Sequence, residues 1–104
     1  IDASLSASAP AELRGYSVDG NEWFTWWRVA AQTAAPLSVQ AHLYAGEGPP
    51  QVADGLGFTS DQWRPGDWFA QRHVFTAPGV ALETGLYDFT TLERSGPVTR
   101  VPAP

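Results

Sequence analysis

Short runs in which apolar and polar residues alternate recur about every ten residues along this chain, and Gly, Pro, Asn and Asp separate them. No segment keeps the i, i+3, i+4, i+7 apolar spacing of an amphipathic helix over several turns. This pattern predicts an all-β fold, specifically an immunoglobulin-like antiparallel β-sandwich of about seven strands. The predicted strands cover residues 12–18, 22–32, 37–45, 50–54, 67–76, 81–89 and 97–102.

The second predicted strand contains four aromatic residues within five positions, in the sequence Glu-Trp-Phe-Thr-Trp-Trp-Arg at 22–28. Successive side chains of a strand point to opposite faces. One face receives the apolar set, which we expect in the core: Trp23, Thr25, Trp27 and Val29. The other face carries both charges and is therefore the outer one: Glu22, Phe24, Trp26 and Arg28. An exposed aromatic pair of this kind indicates a binding surface or a contact with another molecule.

The third predicted strand alternates just as clearly. Its apolar positions are expected in the core: Leu37, Val39, Ala41 and Leu43. Its outer positions are Ser38, Gln40, His42 and Tyr44. If the second and third strands are neighbours in one sheet, a candidate ligand-binding site forms from Phe24, Trp26, Arg28, Gln40 and His42. If the chain crosses between sheets, the two outer sets lie on opposite sides of the molecule, and the sequence leaves both arrangements open.

Composition limits the domain organisation and the partners. The 104 residues fit one domain, which we expect at 12–102, after a linker at 1–11 that is rich in Ala, Ser and Pro. The net charge of −5 disfavours a nucleic-acid partner, because phosphate contacts need a basic surface. Without cysteine the chain has neither disulfides nor thiolate metal sites. No stretch reaches the length of about 20 apolar residues that spans a membrane.

Catalytic motifs are absent from the sequence. The two histidines, His42 and His73, lie 31 residues apart, without the spacing of a zinc site, and both are expected on outer strand faces. There is no Gly-x-Ser-x-Gly elbow, no cysteine nucleophile and no Asp-x-Asp-x-Asp-Gly run for calcium. The aspartates fall at predicted turns and strand ends, where Asp commonly closes a turn. We therefore expect no enzyme activity, no metal and no cofactor.

Several short motifs predict turns and packing. Asp19-Gly20-Asn21 predicts a tight hairpin between the first two strands. Pro65-Gly66 suits the two central positions of a type II turn, with Trp63 folded onto the sandwich edge and Asp67 accepting hydrogen bonds from the turn amides. Further on, Leu86 is expected in the core, and Tyr87 is expected to make a corner-type hydrogen bond through its hydroxyl.

Four segments in order resemble one protein family. They are Trp27-Arg28, Ala41-His42-Leu43 with Ala53-Asp54, Trp63-Arg64-Pro65-Gly66-Asp67, and Gly85-Leu86-Tyr87-Asp88. Over residues 13–94 they resemble the β-sandwich domain that follows the membrane-embedded part of bacterial mannosyltransferase-like glycosyltransferases of the dolichyl-phosphate-mannose type. The chain departs from the family pattern at the turns 45–50 and 77–81. The family motifs keep the fold and include no catalytic residue.

This resemblance implies a non-catalytic accessory or interaction module, located outside the cytoplasm as part of a larger bacterial membrane-anchored protein. Its partner would be a neighbouring domain of the same polypeptide or another protein. A second hypothesis is a carbohydrate-binding module, since aromatic rings stack on the apolar faces of sugars while polar neighbours bind the hydroxyls. A third is a protease-inhibitor-like module that presents the loop 46–50 or the loop 59–66.

The alternation in the second strand makes a direct prediction about two adjacent tryptophans. Trp26→Ala should change the free energy of unfolding by less than about 1 kcal/mol, because an outward ring contributes little to the core. Trp27→Ala should cost about 3–5 kcal/mol, because it truncates a core side chain. Denaturant titrations of the two variants measure both values, and equal losses would contradict the assignment of the two faces.

Overall fold

The computed structural model describes residues 9–104, in which seven strands form two antiparallel sheets. The strands are β1 (Ala11–Asp19), β2 (Glu22–Val29), β3 (Leu37–Tyr44), β4 (Gln51–Val52), β5 (Trp68–Val74), β6 (Ala81–Asp88) and β7 (Thr99–Pro102). One sheet has the order β1-β2-β5 and the other the order β4-β3-β6-β7. The only helical element in this part of the chain is the short 3₁₀ turn Ser60–Gln62. The predicted all-β sandwich is confirmed.

The chain passes from one sheet to the other after β2, after β4 and after β5. Such crossings between two packed layers are characteristic of immunoglobulin-like sandwiches. β2 and β3 therefore belong to different sheets. Their outward faces lie on opposite sides of the domain, which decides between the two arrangements that the sequence allowed.

The hairpin between β1 and β2 has the two-residue loop Gly20-Asn21, flanked by the pair Asp19 and Glu22. Gly20 has a φ of 62°, a conformation that residues with a Cβ rarely adopt. Glycine with positive φ at the first loop position is typical of the type II′ turn, whose twist matches that of the flanking strands. The predicted hairpin is confirmed.

Alternate residues of both sheets fill the core. The inward residues predicted for β2 are all buried: Trp23, Thr25, Trp27 and Val29. Those predicted for β3 are also buried: Leu37, Val39, Ala41 and Leu43. Trp63 enters the core more deeply than predicted, since it is 2% exposed and its ring lies 5.2 Å from that of Phe69. The loop before β5 is therefore anchored inside the sandwich.

The turn that leads into β5 has the predicted geometry. Gly66 has a φ of 93°, and the Asp67 amide donates to the Arg64 carbonyl at 3.0 Å. The Asp67 carboxylate accepts from the Arg64 amide at 3.0 Å, as expected for an Asp that closes its own turn. The Gly66 amide also donates to the Val29 carbonyl at 2.8 Å, which attaches the turn to the end of β2.

The beginning of the domain differs from the prediction. Ala9 is 5% exposed, and the Pro10 carbonyl accepts from the amides of Ala30 at 2.8 Å and Ala31 at 3.2 Å. These two bonds turn the chain away from the strand direction, so β2 ends at Val29 and not at residue 32. Residues 9–11 therefore belong to the packed domain and not to the predicted linker 1–11, whose residues 1–8 lie outside the described residues.

His73 lies in the core, 1% exposed, and not on the outer face predicted for it. Its Nδ1 lies 3.0 Å from the Ala53 carbonyl oxygen and its Nε2 lies 3.1 Å from the Thr25 hydroxyl. A carbonyl only accepts, so the neutral ring carries its proton on Nδ1 and Thr25 donates to Nε2. Trp27 Nε1 donates to the same hydroxyl at 2.8 Å. This series, hereafter the His73 chain, links β2 and β5 to the segment after β4.

Burial of His73 generates a prediction about pH. Desolvation disfavours the charged ring and holds the pKa of His73 below its ordinary value of about 6.5. The unfolded chain therefore takes up a proton at higher pH than the folded one. The contribution of His73 to the free energy of unfolding should be fully present above about pH 6.5. Below that pH the free energy of unfolding should fall, by up to about 1.4 kcal/mol per pH unit. Urea titrations between about pH 7.5 and 5 measure this slope.

The matched variants for this experiment are His73→Gln and His42→Gln. Glutamine at 73 can still donate to the Ala53 carbonyl and accept from Thr25, but it does not titrate. We expect His73→Gln to remove most of the slope between about pH 6.5 and 5, and His42→Gln to retain the part due to His73. An unchanged slope in His73→Gln would contradict the prediction.

Candidate functional site

The outer face of the three-stranded sheet carries three aromatic side chains. Phe24 and Trp26 point outward from β2, as predicted, and Trp26 is 37% exposed. β5 adds Trp68, which is 58% exposed and lies opposite Arg28 in the strand register. Arg72 lies opposite Phe24. These five residues are hereafter the aromatic face.

The neighbours of Trp26 are small. Gly15 of β1 lies opposite it on one side and Ala70 of β5 on the other. A Cβ at Gly15 would contact nothing within 4 Å, so the space beside the indole ring is open. The rings of Phe24 and Trp26 lie with centroids 6.2 Å apart and planes inclined by 35°. The rings therefore lie side by side on the sheet, with Trp26 exposed and Phe24 partly buried.

The two arginines of the aromatic face differ in their partners. Arg72 donates to both carboxylate oxygens of Glu22, each at 2.8 Å. The hydrogen bond from Arg72 lowers the pKa of Glu22, so this pair stays ionised at neutral pH. Arg28 takes part in no ion pair among residues 9–104. In the strand register Arg28 lies between Glu12 of β1 and Trp68 of β5.

Trp68 is the residue of this face that the sequence analysis missed. The strand at 67–76 was predicted, but placing His73 on its outer side implied the opposite alternation. Phe69 and Phe75 share the alternation of His73, and both are buried. The two phenylalanines were therefore the available signal that His73 points inward and Trp68 outward.

The five predicted ligand-binding residues do not form one site. Phe24, Trp26 and Arg28 lie on the outer face of the three-stranded sheet. Gln40 and His42 belong to β3 and point to the outer side of the other sheet, where Gln40 is only 4% exposed and His42 is partly buried. The connection at 30–36 crosses between the layers, so the predicted combination of rings with Gln40 and His42 is wrong.

On the side of the four-stranded sheet, polar groups gather around Asp54. The Asp54 carboxylate accepts from the Ala41 amide at 2.7 Å and from the Tyr87 hydroxyl at 2.9 Å. His42 Nε2 lies 3.4 Å from the same carboxylate, and His42 Nδ1 lies 3.3 Å from the Gln40 side-chain nitrogen. Burial and the bond to Asp54 raise the pKa of Tyr87. We refer to Gln40, His42, Asp54 and Tyr87 as the Asp54 cluster.

The backbone explains why Asp54 occupies this position. Ala53 donates to the Ala41 carbonyl at 2.9 Å, and Gly55 pairs with Val39 one step further along β3. Between these pairs the Asp54 side chain, in place of a main-chain carbonyl, accepts from the Ala41 amide. The Tyr87 hydroxyl makes a hydrogen bond, as predicted. Its acceptor is the Asp54 side chain and not the backbone, as it would be in a tyrosine corner.

The Asp54 cluster has a structural arrangement of partners. Arg94 donates to the side-chain oxygen Oε1 of Gln40, which leaves the side-chain nitrogen Nε2 of Gln40 to donate to His42 Nδ1. The other ring nitrogen, Nε2, faces the Asp54 carboxylate. Both ring nitrogens are thus engaged by an amide and a carboxylate, and among residues 9–104 no hydroxyl nucleophile bonds to His42. The His-Asp pair lacks the third member of a nucleophilic triad.

The two loops predicted for an inhibitor-like module differ in their attachment. The loop 59–66 is anchored by buried Ser60, whose hydroxyl donates to the Ala35 carbonyl at 2.8 Å and accepts from the Leu37 amide at 3.0 Å. Buried Trp63 holds its other end. The loop 46–50 is exposed from Gly46 to Pro49.

Residues 9–104 contain no group of three or more His, Cys, Asp or Glu side chains placed to hold a metal ion. No helix in the same range has the length and apolar character needed to cross a membrane. In comparisons with known proteins, the chain matches no family model, no curated protein and no solved structure.

The Asp54 cluster generates a prediction about stability. Asp54→Ala should lower the free energy of unfolding by about 2–3 kcal/mol, because it leaves the buried Ala41 amide without an acceptor. Tyr87→Phe removes one hydrogen bond from a partly buried hydroxyl and should cost about 1 kcal/mol. Glu47→Ala, in an exposed loop, should stay within about 0.5 kcal/mol. Urea titrations test this order, and an Asp54→Ala variant as stable as Glu47→Ala would contradict it.

Proposed function

We propose that this chain is a non-catalytic accessory module that binds a neighbouring domain of its own polypeptide, or another protein, through the aromatic face. One observation carries the proposal. Trp26 and Trp68 are exposed on the same face of one sheet, whereas the other three tryptophans, Trp23, Trp27 and Trp63, are each at most 3% exposed. The surface tryptophans are therefore concentrated at one place.

The energetics of this face favour a contact. Burying a large apolar side chain contributes about 1.5–3 kcal/mol, so two indole rings in water leave a sizeable free energy for a partner to recover. Trp and Arg are also the residues most enriched where protein interfaces gain their energy. Arg28 lies beside Trp68, and the Glu22–Arg72 pair supplies a charged margin. The face thus combines an aromatic centre with a polar rim.

We place the module outside the cytoplasm, in the periplasm or at the cell surface, as part of a larger membrane-anchored, glycosyltransferase-like bacterial protein. The support is the sequence resemblance over residues 13–94. In the segment Gly85–Asp88, Leu86 is buried, and a Cβ at Gly85 would lie 2.9 Å from the Pro97 carbonyl oxygen. Positions that resemble the family pattern therefore keep the fold, as that family's motifs do.

Carbohydrate binding is the second candidate function, and the open surroundings of Trp26 favour it. Gly15 and Ala70 leave the indole accessible to a flat ligand, and Trp68 supplies another ring on the same sheet. Arg28, which forms no ion pair among residues 9–104, is the polar group of this face that would bind sugar hydroxyls. Gln40 and His42 lie on the opposite side, which reduces the polar groups available to a glycan. For this reason a protein contact is the first proposal.

The distribution of tryptophans makes intrinsic fluorescence a direct test. Acrylamide should quench one exposed component in the free domain, and Trp26→Phe with Trp68→Phe should remove it, because the remaining three indoles are buried. In a longer chain that includes the adjoining domains, we expect this component to be protected. A panel of glycans added to the free domain tests the second candidate by the same signal.

The control variant is Val80→Ala, since Val80 is 54% exposed and does not belong to the aromatic face. It should leave quenching and protection unchanged. Protection in the longer chain supports the protein contact, and protection by a glycan replaces it with the carbohydrate candidate. Equal quenching of the free domain, the longer chain and every glycan mixture would overturn both.

A further inference from the structure

Four strands lie at the edges of the two sheets, and β5 is the one that lacks protection. β4 has two residues, and β7 has four and ends at Pro102. β1 is interrupted by a bulge between Leu13 and Gly15. Short strands, proline, bulges and charged side chains are the usual means by which sheet edges avoid pairing with other chains. The charged side chain of β5, Arg72, is bonded to Glu22 of β2. β5 has seven residues, contains no proline and pairs with β2 without a register shift.

The direction of the β5 backbone groups follows from the bonds at its two ends. The Asp67 carbonyl accepts from Val29, and the Phe75 amide donates to Asn21, so residues 67 and 75 both face β2. Antiparallel strands direct alternate residues toward opposite neighbours. The amides and carbonyls that face away from β2 therefore belong to Trp68, Ala70, Arg72 and Val74.

These outward groups have few partners. Among residues 9–104 none of the four amides donates a hydrogen bond, and of the four carbonyls only that of Arg72 accepts one, from the Gln71 side chain at 3.0 Å. The preceding loop meets β5 through side chains, with Gly57 donating to Gln71 Oε1 at 2.7 Å and Phe58 packing on Phe69. No backbone hydrogen bond joins this loop to the strand. The edge is open to an added strand.

We infer that a second copy of this chain occupies the edge, through antiparallel pairing of β5 with β5 about a two-fold axis at Gln71. In this register Trp68 faces Val74 of the other copy and Ala70 faces Arg72. All four outward residues then form hydrogen-bonded pairs, which gives about eight main-chain hydrogen bonds. Shifting the strands by two residues loses at least one of these pairs. The register centred on Gln71 is selected because it uses the outward amides and carbonyls of all four residues in both copies.

Side chains favour a second copy over an unrelated peptide because the strand complements itself. Trp68 and Val74, at its two ends, are exposed by 58% and 54%, and the two-fold axis places one against the other at both ends of the contact. Arg72 faces the small Ala70 and lies diagonal to Arg72 of the other copy, and the charge of each arginine is already matched by Glu22. The same surface on both subunits is the property of a two-fold interface. Since each copy carries a net charge of −5, salt should strengthen the dimer.

Pairing would give a continuous six-stranded sheet in the order β1-β2-β5-β5-β2-β1, with two copies of the aromatic face on the same side. Edge pairing of one short strand buries less surface than a permanent interface, so the dimer should be transient. Two linked faces would raise the effective affinity for a repeated or dimeric partner. The dimer itself does not depend on the proposed function.

Sedimentation of the full chain from about 10 µM to about 1 mM tests the inference in the range expected for a transient contact. Wild type should shift from monomer to dimer, more readily at high salt. Ala70→Pro should remain monomeric throughout, because it removes an outward amide that the monomer does not use, and proline is accepted at strand edges. Ala70→Thr keeps the amide and should dimerise like wild type. Circular dichroism confirms that both variants are folded.

Amide hydrogen exchange supplies a second readout that does not rely on the proline variant. In wild type, protection of the amides of Ala70 and Arg72 should rise with protein concentration, while Phe69 and Gln71, which face β2, are protected throughout. A wild type that is monomeric at about 1 mM would overturn the inference, as would dimerisation without protection at Ala70 and Arg72. Trp26 belongs to the aromatic face but lies on β2 and not on the edge strand. A dimer retained in Trp26→Phe therefore separates the edge from the aromatic face, and dimerisation of Ala70→Pro would refute the edge.

Discussion

The His73 chain is the constraint on which the three-stranded sheet depends. Trp27, Thr25 and His73 are buried, and their polar atoms find partners only if β2 and β5 both turn these residues inward. An unpaired polar group in the core costs about 1–3 kcal/mol. A slip of one residue in either strand would break the hydrogen bonds of the His73 chain. It would also turn the inward side chains of that strand to the outer face. The bonds that satisfy the core therefore also direct Trp26 and Trp68 outward.

The two outer faces of the sandwich differ in how far their groups are satisfied. On the four-stranded sheet, polar side chains bond to one another: besides the Asp54 cluster, Glu83 accepts from Tyr44 and from Arg100, each at 3.2 Å, and Arg100 lies 4.9 Å from the Tyr44 ring centroid. The aromatic face has one ion pair and otherwise exposes rings. Polar groups that already have partners gain little from a ligand, so we expect binding on the aromatic face.

Much of the fold could be predicted because alternation and turn chemistry are local. The faces of β2, the hairpin at Gly20 and the turn at Pro65-Gly66 each follow from residues adjacent in sequence. The sequence could not predict whether β2 and β3 share a sheet, because the path of the link 30–36 depends on packing across the whole domain. For that reason the sequence left open whether Gln40 and His42 join the aromatic residues, and the structure separates them.

His73 shows the other limit of sequence reasoning. A histidine in a strand is neutral or charged according to its surroundings, so polarity alone placed it outside. Its burial depends on Thr25 and Ala53, which lie 48 and 20 residues away in the sequence. Asp54 is a similar case, since its role is to accept from an amide 13 residues earlier. Long-range polar pairs of this kind leave no periodic signal.

The alternation of β5 links the aromatic face to the strand edge. In an antiparallel strand the side chain and the backbone amide both alternate with a period of two. Trp68, Ala70, Arg72 and Val74 therefore have their side chains on the outer face and their amides on the free edge. The inward position of His73 determines both at once. Any contact at this edge thus extends the aromatic face, and the buried histidine determines which residues a second molecule meets.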